Sequence, residues 1–534
     1  MPPKKLPNII LFVADEMRGD VISLNGQNNP YIKTPNIDNL AKDGIAFTKC
    51  FSVNPVCVPS RCCTFTGQYV HSNAHRSLYQ LLRPHEDNLF KFLKMSGYKV
   101  IWIGRNDLFS KETIKVSVSK HYSLYKLLLR KFMPEILRLK FFKRLFRIST
   151  IRSLFKLIKN RKTILEDYRF LKSPLIKSFL SAQIKLNPFP KGNPLRKSFY
   201  FGERDLKQGN DIDTLIIEKV LKFLNSKPKG PFCLYIALNF PHPPYTVEEP
   251  FFSMYNRKEI PPPIPPILDD KPEFMKLMFK RYGLEKLSEK DFREIKATYY
   301  GMVSRVDYQF GRIIKKLKDI NKYEDSAIFF FADHGDYTGD YGITEKWPNA
   351  FQDCLINVPL VIKLPNLKIK KNISEELVEL IDLFPTILEL AKLKTTYTHF
   401  GRSLIPLLTG KTESHREAVF AEGGYNIQEP QCFEQPVLSP DMALLGIYYD
   451  KTNIPQEFPA TVARSIMVRT KEWKLILRNE IKAELYNLKD DPHELNNLID
   501  NDEYKQIKLE LKDKLLNWFL NTSDSPHWSK VRNI

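Results

Sequence analysis

Short runs of apolar residues recur along the chain, and most of them end in a polar or acidic residue. They occupy residues 9–14, 98–103, 232–239, 326–331 and 357–364. A strand that is covered on both faces shows such a continuous run instead of an apolar–polar alternation. The pattern therefore predicts five buried strands of a mostly parallel sheet.

Segments with helical spacing of apolar residues lie between these runs. The longest occupies residues 288–319, and Ser288 is suited to be its N-cap. Because strands and helices alternate, we predict an α/β fold in which a mostly parallel sheet is flanked by helices. The other predicted helices occupy residues 35–44, 86–96, 211–225 and 375–393.

The pattern changes near residue 416. Three short strand-like runs and a final helix follow, at residues 418–422, 465–469, 473–477 and 503–520. This order of elements is typical of an α+β domain. We therefore predict two domains, a larger one at residues 1–415 and a smaller α+β C-terminal domain at residues 416–534.

Composition narrows the class of protein. The chain has 534 residues, of which 43% are hydrophobic and 27% charged, so a disordered or fibrous chain is excluded. No apolar run reaches the ~18 residues that a membrane-spanning helix needs. The first apolar run is also too short for a secretory signal. We therefore expect a cytoplasmic protein, in which seven cysteines do not form a disulfide framework.

The positive charge is concentrated in one segment. The formal net charge is +21, and residues 111–200 hold 23 Lys and Arg against 4 acidic residues, which leaves +2 for the rest of the chain. Large apolar residues alternate with these bases at helical spacing. Such a basic amphipathic segment fits an anionic membrane surface or a polyanionic partner. An inserted helical subdomain with a solvated basic face is the alternative, and no nucleic acid is expected as a partner.

Acidic residues follow two of the predicted strands. Asp15 and Glu16 end the first strand, and Asp333 and His334 follow the strand at residues 326–331. The carboxyl ends of parallel strands meet at one edge of a sheet, where ligands bind. Grouped carboxylates repel one another unless a cation lies between them, and oxygen ligands suit Ca²⁺ or Mg²⁺. Two unrelated strand-end acids, solvated or capping helices, are the alternative.

The segment Cys57-Val-Pro-Ser-Arg61 carries the strongest chemical signal. Pro59 favours a helix start, so Cys57 is predicted at or just before a helix N-terminus. Backbone N–H groups there favour an anion. The Arg61 guanidinium can bind a tetrahedral oxyanion with two parallel hydrogen bonds.

In this pattern the chain resembles the type I sulfatases of the alkaline phosphatase superfamily. Their maturation signature is C-x-P-S-R followed by Thr-Gly, which is found here at Cys57–Arg61 and Thr66-Gly67. Further family motifs appear as T-P-N-I-D-N-L-A at residues 34–41, P-H-P-P at residues 241–244 and D-H-G at residues 333–335, followed by a lysine at position 346 and E-L-Y at residues 484–486. The resemblance implies an alkaline-phosphatase-like catalytic domain at residues 1–415, into which the basic segment at about 111–200 is inserted.

The resemblance also implies a mechanism and a site. A separate maturation enzyme would oxidise Cys57 to formylglycine (3-oxoalanine), the nucleophile that releases inorganic sulfate from a small-molecule or saccharide sulfate ester. Arg61 would orient the formylglycine, and His242 and Lys346 would hold the sulfate. One divalent cation, Ca²⁺ rather than Mg²⁺, would be held by residue 57 together with Asp15, Glu16, Asp333 and His334.

The chain departs from the family at three positions. Glu16 stands where the family usually has Asp or Gln. Arg105 and Asp107 stand where it usually has a lysine and a histidine. Arg105 keeps the positive charge and is therefore predicted to contact the sulfate, whereas Asp107 is not. His71, His75 and Arg76 follow the C-x-P-S-R helix and could reach the substrate, and surface histidines at a helix end are the alternative.

Two other functions fit the same residues. A phosphonate monoester or phosphodiester hydrolase of the same superfamily uses a very similar set of metal ligands and nucleophile. An inactive homologue could bind membranes or polyanions through the basic segment. Unmodified Cys57 and the absence of turnover would distinguish the second of these from an enzyme.

Overall fold

The computed structural model describes residues 6–123, 187–205, 211–367, 372–429 and 446–525 of the chain. The basic segment predicted at residues 111–200 lies mostly outside these ranges. Within the described ranges, no helix combines the length and the apolar character that crossing a membrane requires. The cytoplasmic location stays a prediction.

A mostly parallel sheet of nine strands organises the larger part of the protein. Its strand order is β10-β2-β9-β8-β1-β6-β3-β4, and β11 also pairs with β2. Strand β9 runs antiparallel to β2 and β8, whereas the other pairs are parallel. Strands β5 and β7 pair with each other in a separate two-stranded sheet. The strands are β1 (Asn8–Asp15), β2 (Ile45–Phe51), β3 (Lys99–Gly104), β4 (Lys120–Tyr122), β5 (Tyr200–Glu203), β6 (Phe232–Pro241), β7 (Tyr245–Val247), β8 (Ser326–Ala332), β9 (Asn357–Lys363), β10 (Ile373–Ser374) and β11 (Val378–Glu379).

Helices flank this sheet, as the alternating pattern predicts. Every residue of β1 and β8 is buried, because the sheet is covered where these two central strands lie. In chain order the helices of the described residues are α1 (Pro35–Lys42), α2 (Cys57–Thr66), α3 (Val70–Asn73), α4 (Leu89–Met95), α5 (Lys111–Ser117), α6 (Ile212–Asn225), α7 (Glu273–Arg281), α8 (Glu289–Asp319), α9 (Asp353–Ile356), α10 (Leu383–Leu390), α11 (Ile405–Leu408), α12 (Tyr449–Glu457) and α13 (Lys505–Thr522).

Most predicted elements are confirmed, and one is wrong in its first half. Helix α8 begins after Ser288, which forms a capping box with Asp291. The helix predicted at residues 375–393 begins only at Leu383, because Val378 and Glu379 are extended and pair with β2. The buried Glu379 carboxylate accepts a hydrogen bond from Tyr69, which fixes it on this strand.

A second, antiparallel sheet forms in the C-terminal part of the chain. Its strand order is β12-β13-β14-β15, and helix α13 packs beside it. The Trp518 ring of α13 stacks on Phe420 with ring centroids 5.0 Å apart. The smaller α+β unit is confirmed at the level of its elements, and the boundary at residue 416 stays a prediction. The four strands are β12 (Val419–Gly423), β13 (Ser465–Arg469), β14 (Trp473–Arg478) and β15 (Glu484–Asn487).

Substitution of Gly104 tests the close packing of the backbone at the carboxyl end of β3. It ends β3 with φ +120°, and a Cβ at this position would overlap the backbone carbonyl oxygen of Ala237. We expect Gly104→Ala to lower the free energy of unfolding by about 4 kcal/mol, since backbone strain and overpacking add. Gly97 also has a positive φ, of +91°, but its Cβ position is open, so Gly97→Ala is a matched control that should lose about 1 kcal/mol. Urea denaturation measures both, and equal losses would contradict the steric argument.

Candidate active site

The carboxyl ends of β1 and β8 bring two acidic segments together. The two strands are parallel neighbours, and Ala14 is in register with Ala332. Asp15 and Asp333 are therefore adjacent at the sheet edge, as predicted from the sequence. The Asp333 Oδ1 atom accepts hydrogen bonds from the backbone N–H groups of Glu16 and His334, at 3.1 and 3.0 Å. The backbone of each strand end thus fixes the Asp333 carboxylate.

Helix α2 begins at Cys57 and directs this residue at the acids. The Cys57 Sγ atom lies 3.1 Å from His334 Nε2 and 3.6 Å from Asp15 Oδ1. Val56, the N-cap, makes no side-chain hydrogen bond to the first turn. Because Cys57 is the first residue of α2, the positive end of the helix dipole lies close to its sulfur atom. Burial, together with the negative charge of Asp15, raises the pKa of the Cys57 thiol well above its ordinary value.

Arg61 ties the two carboxylates to helix α2. It is four residues after Cys57, so both side chains lie on one face of the helix. Its Nε atom donates to Asp333 Oδ2 at 2.7 Å, and its Nη2 atom donates to Asp15 Oδ2 at 2.8 Å. The spacing of the C-x-P-S-R motif is explained by this geometry, because it places the thiol and the guanidinium against the same pair of acids.

Four residues have the geometry of a metal-binding group. The ligand atoms of Asp15, Cys57, Asp333 and His334 all lie within 4.8 Å of one another, and the four residues are buried. Burial raises the pKa of Asp15 to about 7, even though the charges of Arg105 and Arg61 oppose this shift. The negative charge of the group is therefore incompletely compensated by the arginines, and a cation would favour its ionised form.

The tautomer of His334 suits a metal ligand. Its Nδ1–H group donates to the carbonyl oxygen of Gly335 at 2.9 Å, because a carbonyl can only accept. The lone pair of Nε2 consequently faces Cys57 and the acids. Burial lowers the pKa of His334 to about 4, although Asp333 opposes this shift, so the ring is neutral near pH 7. A carbonyl that orients the ring in this way is the usual partner of a metal-binding histidine.

Glu16 lies beside this group and turns towards two other residues. It adopts φ +64°, and its Oε2 atom lies 2.5 Å from Lys346 Nζ and 3.3 Å from His242 Nε2. Its Oε1 atom is buried and has no hydrogen-bond partner among the described residues. Asp15, Glu16 and His242 form a second group whose ligand atoms lie within 4.8 Å of one another, and the predicted role of Glu16 as a metal ligand stays a prediction.

Lys346 and His242 meet at this carboxylate. Lys346 Nζ lies 3.2 Å from His242 Nε2. The His242 Nδ1–H group donates to the carbonyl oxygen of Pro243 at 2.7 Å, so Nε2 accepts from the Lys346 ammonium. Burial and the charge of Lys346 lower the pKa of His242 well below its ordinary value. Although burial disfavours a charged lysine, Glu16 and Glu345 raise the pKa of Lys346 well above its usual range.

Arg105 reaches the same acids from the end of β3. Its Nη1 atom lies 3.0 Å from Asp15 Oδ2, and its Nε atom pairs with Asp107. The sequence predicts a sulfate contact for Arg105, and the structure places it at the site with two carboxylate partners. Asp107 balances the charge of Arg105, and the expectation that Asp107 is not itself a sulfate ligand stays a prediction.

His71 and two acids have roles that the sequence did not reveal. His71 bonds to Glu422 at 2.7 Å and to Thr522 at 2.9 Å, so it joins α3 to the C-terminal part. Asp336 accepts a hydrogen bond from the Tyr245 hydroxyl at 2.6 Å and lies next to the Glu16 carboxyl group. Glu345 contacts Lys346 directly, and its position next to that lysine was the only signal in the sequence.

Comparison with known proteins places these residues in a family. The Sulfatase family model matches residues 7–393, and the model of the N-sulphoglucosamine sulphohydrolase C-terminal region matches residues 444–520. The multifunctional alkaline phosphatase superfamily protein PehA of Trinickia caryophylli is 24% identical over 97% of this chain and 96% of its own length.

Two solved structures have the same fold. The phosphonate monoester hydrolase of Agrobacterium radiobacter superposes with a TM-score of 0.70 at 21% identity, covering 97% of this chain and 96% of its own. The protein BT4656, in complex with its substrate D-glucosamine-2-N,6-O-disulfate, superposes with a TM-score of 0.67 at 20% identity, covering 97% and 98%.

Proposed function

This chain belongs to the sulfatase family of sulfuric ester hydrolases, and we propose that it cleaves the sulfate ester of an alcohol or saccharide with a formylglycine made from Cys57. One observation carries the proposal. The side chain of Cys57 lies at a helix N-terminus, 3.1 Å from His334 and against the Asp15 carboxylate, inside the group of candidate metal ligands. This is where a nucleophile must lie if it is to be activated by a cation and to attack an anionic ester.

The unmodified thiol is poorly suited to be the nucleophile. A reactive cysteine needs a lowered pKa, because the thiolate is the attacking species. Burial and Asp15 raise the pKa of Cys57 instead. Conversion by a maturation enzyme removes this difficulty. Once formed and hydrated, the formylglycine would supply a hydroxyl oxygen that attacks sulfur and expels the alcohol, and a second hydroxyl that lets sulfate leave as the aldehyde returns.

The residues present fit one divalent cation. Asp15, Asp333 and His334 would hold it together with the oxygen of a modified residue 57, and the Glu16 carboxylate, which lies within reach of Asp15, could complete the set. Carboxylate and hydroxyl oxygens suit Ca²⁺, which the family resemblance favours over Mg²⁺. When bound, the cation would lower the pKa of the attacking hydroxyl and offset the charge of the sulfate. Arg61 keeps both aspartates in place.

Lys346 and His242 would bind the sulfate group opposite the nucleophile. Of the two, Lys346 carries the proton, because it is charged while His242 Nε2 is an acceptor. We therefore assign to Lys346 the proton that the leaving alcohol oxygen takes up when the S–O bond breaks. Arg105 would contribute positive charge from the other side of Asp15.

The substrate and partners are proposed at the level of class. A saccharide sulfate is supported by the substrate bound to BT4656 and by the N-acetylglucosamine-6-O-sulfatase of Bacteroides thetaiotaomicron, which is 24% identical over 96% of this chain. A formylglycine-generating enzyme would be a transient partner of the segment around Cys57. The +19 charge of residues 111–200 would attach the protein to an anionic membrane surface or a polyanion.

Hydrolysis of phosphonate monoesters is the second candidate function. It is favoured by the likeness to the phosphonate monoester hydrolase of Agrobacterium radiobacter, which has the higher TM-score of the two structures compared. Aryl sulfates and aryl phosphonate monoesters both carry one negative charge, so the binding groups of this site do not separate them by charge.

Paired rates distinguish these two functions. We expect kcat/KM for 4-nitrophenyl sulfate to exceed that for 4-nitrophenyl phenylphosphonate by at least about tenfold, a difference of roughly 1.4 kcal/mol in transition-state binding. Release of 4-nitrophenol measures both rates on the same preparation, and Cys57→Ala serves as the blank. A ratio that favours the phosphonate would make it a phosphonate hydrolase with sulfatase side activity.

A further inference from the structure

Glu345 lies between two buried lysines. Its Oε1 atom is 3.0 Å from Lys346 Nζ, and its Oε2 atom is 2.6 Å from Lys451 Nζ. The side chain of Glu345 is fully buried, and those of Lys346 and Lys451 are 4% and 6% exposed. Because this carboxylate pairs with both ammonium groups, a shift of one group changes the position of the other.

The backbone of Glu345 is unfavourable for a glutamate. It adopts φ +68°, in the left-handed region that a glycine would enter without strain. The carboxylate contacts compensate for this strain, since Oε2 also accepts the backbone N–H of Lys346 at 2.7 Å. The Glu345 carboxylate therefore fixes both the backbone N–H group and the side-chain ammonium group of Lys346.

The charges of the three residues depend on one another. Although burial opposes ionisation, Lys346 and Lys451 lower the pKa of Glu345 to about 2, so this carboxylate is fully charged near pH 7. Without Lys451, its whole negative charge would act on Lys346. The Lys346 ammonium would then be drawn towards Glu345 and away from His242 and Glu16, where the substrate is to be bound.

We propose that Lys451, acting through Glu345, is a positioning residue that holds the Lys346 ammonium at the sulfate-binding site. Lys451 lies on α12, within the stretch that matches the C-terminal family model, whereas Lys346 follows the central sheet. The C-terminal part thereby sets the geometry of a group in the catalytic site. This proposal rests on the sulfate-binding role given to Lys346 under the proposed function.

A positioning role makes a prediction about leaving groups. If Lys346 donates the proton to the departing oxygen, its displacement affects poor leaving groups more than good ones. We expect Lys451→Met to lower kcat/KM by about 30-fold for phenyl sulfate, in the range seen for residues that orient a ligand. The loss for 4-nitrophenyl sulfate should be several-fold smaller, and Lys451→Arg should restore most of both.

Two further variants keep the test decisive if Lys451→Met is unstable. The double variant Glu345→Gly with Lys451→Met removes both buried charges and the backbone strain, so it leaves no unpaired charge at this position. It should fold and still show the selective loss with phenyl sulfate, because the Lys346 ammonium then lacks the Glu345 carboxylate that fixes its position. Lys474→Met is the matched control, because Lys474 is also fully buried between two carboxylates, Asp353 and Glu494, far along the chain from Lys346. Its folded fraction should keep wild-type kcat/KM on both esters.

Binding of inorganic sulfate separates this proposal from the proposed function. Calorimetry on the full-length protein should show that Lys451→Met weakens sulfate binding about tenfold, and that Lys451→Arg recovers it. Sulfate binding without any ester turnover would contradict the proposed function while the effect of Lys451 still stood. Wild-type sulfate affinity in Lys451→Met, equal losses on both esters, or no sulfate binding by the wild type would each overturn the positioning role.

Discussion

Cys57→Ala is expected to lower kcat/KM for sulfate-ester hydrolysis by about 10⁵-fold, the scale found when a covalent nucleophile is removed. Alanine has no side-chain atom that can bond to sulfur. The neighbouring Ser60 hydroxyl cannot replace it, because it donates to the carbonyl oxygen of Asp333 at 2.7 Å. Release of inorganic sulfate from 4-nitrophenyl sulfate measures the effect.

Mass spectrometry of the same preparations connects this loss to the modification. The wild-type peptide that contains position 57 should carry the mass of an aldehyde in place of the thiol. The fraction of aldehyde should scale with the specific activity when preparations of different maturation are compared. A wild-type peptide with only the thiol mass, together with high turnover, would show that formylglycine is not the nucleophile.

Cys62→Ala is the matched control for this experiment. Cys62 lies on the same helix and is fully buried, but it is outside the group of candidate metal ligands. Its replacement by alanine should therefore change kcat/KM by less than about threefold and affect only stability, by roughly 1–2 kcal/mol. Turnover that survives in Cys57→Ala, or an equally large loss in folded Cys62→Ala, would contradict the assignment of the nucleophile.

Local sequence patterns predicted the elements that carry the site. The apolar runs that become β1 and β8 are continuous because these strands are buried on both faces, and the acids after them meet because the strands are parallel neighbours. The Cys57–Arg61 motif could be located because Pro59 indicates a helix start and the segment matches the C-x-P-S-R signature of the sulfatases. These features depend on residues close together in the sequence or on a general property of parallel sheets.

Contacts between distant segments could not be predicted in this way. Lys451 and Glu345 are 106 residues apart, and neither lies in a periodic pattern that indicates the other. Strand β2 also escaped prediction, because Thr48 and Lys49 interrupt its apolar run. The extended start of the segment at residues 375–393 also depends on a distant contact. Val378 is extended because it pairs with β2, which its own sequence does not indicate.

Removal of divalent cations is expected to abolish most of the activity. Chelation should lower kcat/KM by about 10³-fold, since a catalytic cation stabilises the transition state by several kcal/mol. Added Ca²⁺ should restore the rate more fully than Mg²⁺, because His334 and the buried carboxylates leave little room for the water ligands that Mg²⁺ retains. A chelated enzyme that turns over at its original rate would contradict a metal-dependent mechanism.

The Asp333→Asn variant tests the metal site without relying on turnover. Asp333 contributes a carboxylate to the group, and an amide has no charge to offset that of a cation. For the wild type, Ca²⁺ should raise the Tm, because a ligand that binds only the folded state stabilises it. Asp333→Asn should lose this rise together with about 10³-fold in kcat/KM. Asp353→Asn is the matched control, since Asp353 is a carboxylate held by Arg469 and Lys474 outside the group, and its Tm should still rise with Ca²⁺. If Asp333→Asn kept the Ca²⁺-dependent rise, the cation would bind elsewhere, and the assignment of Asp15, Asp333 and His334 as its ligands would be wrong.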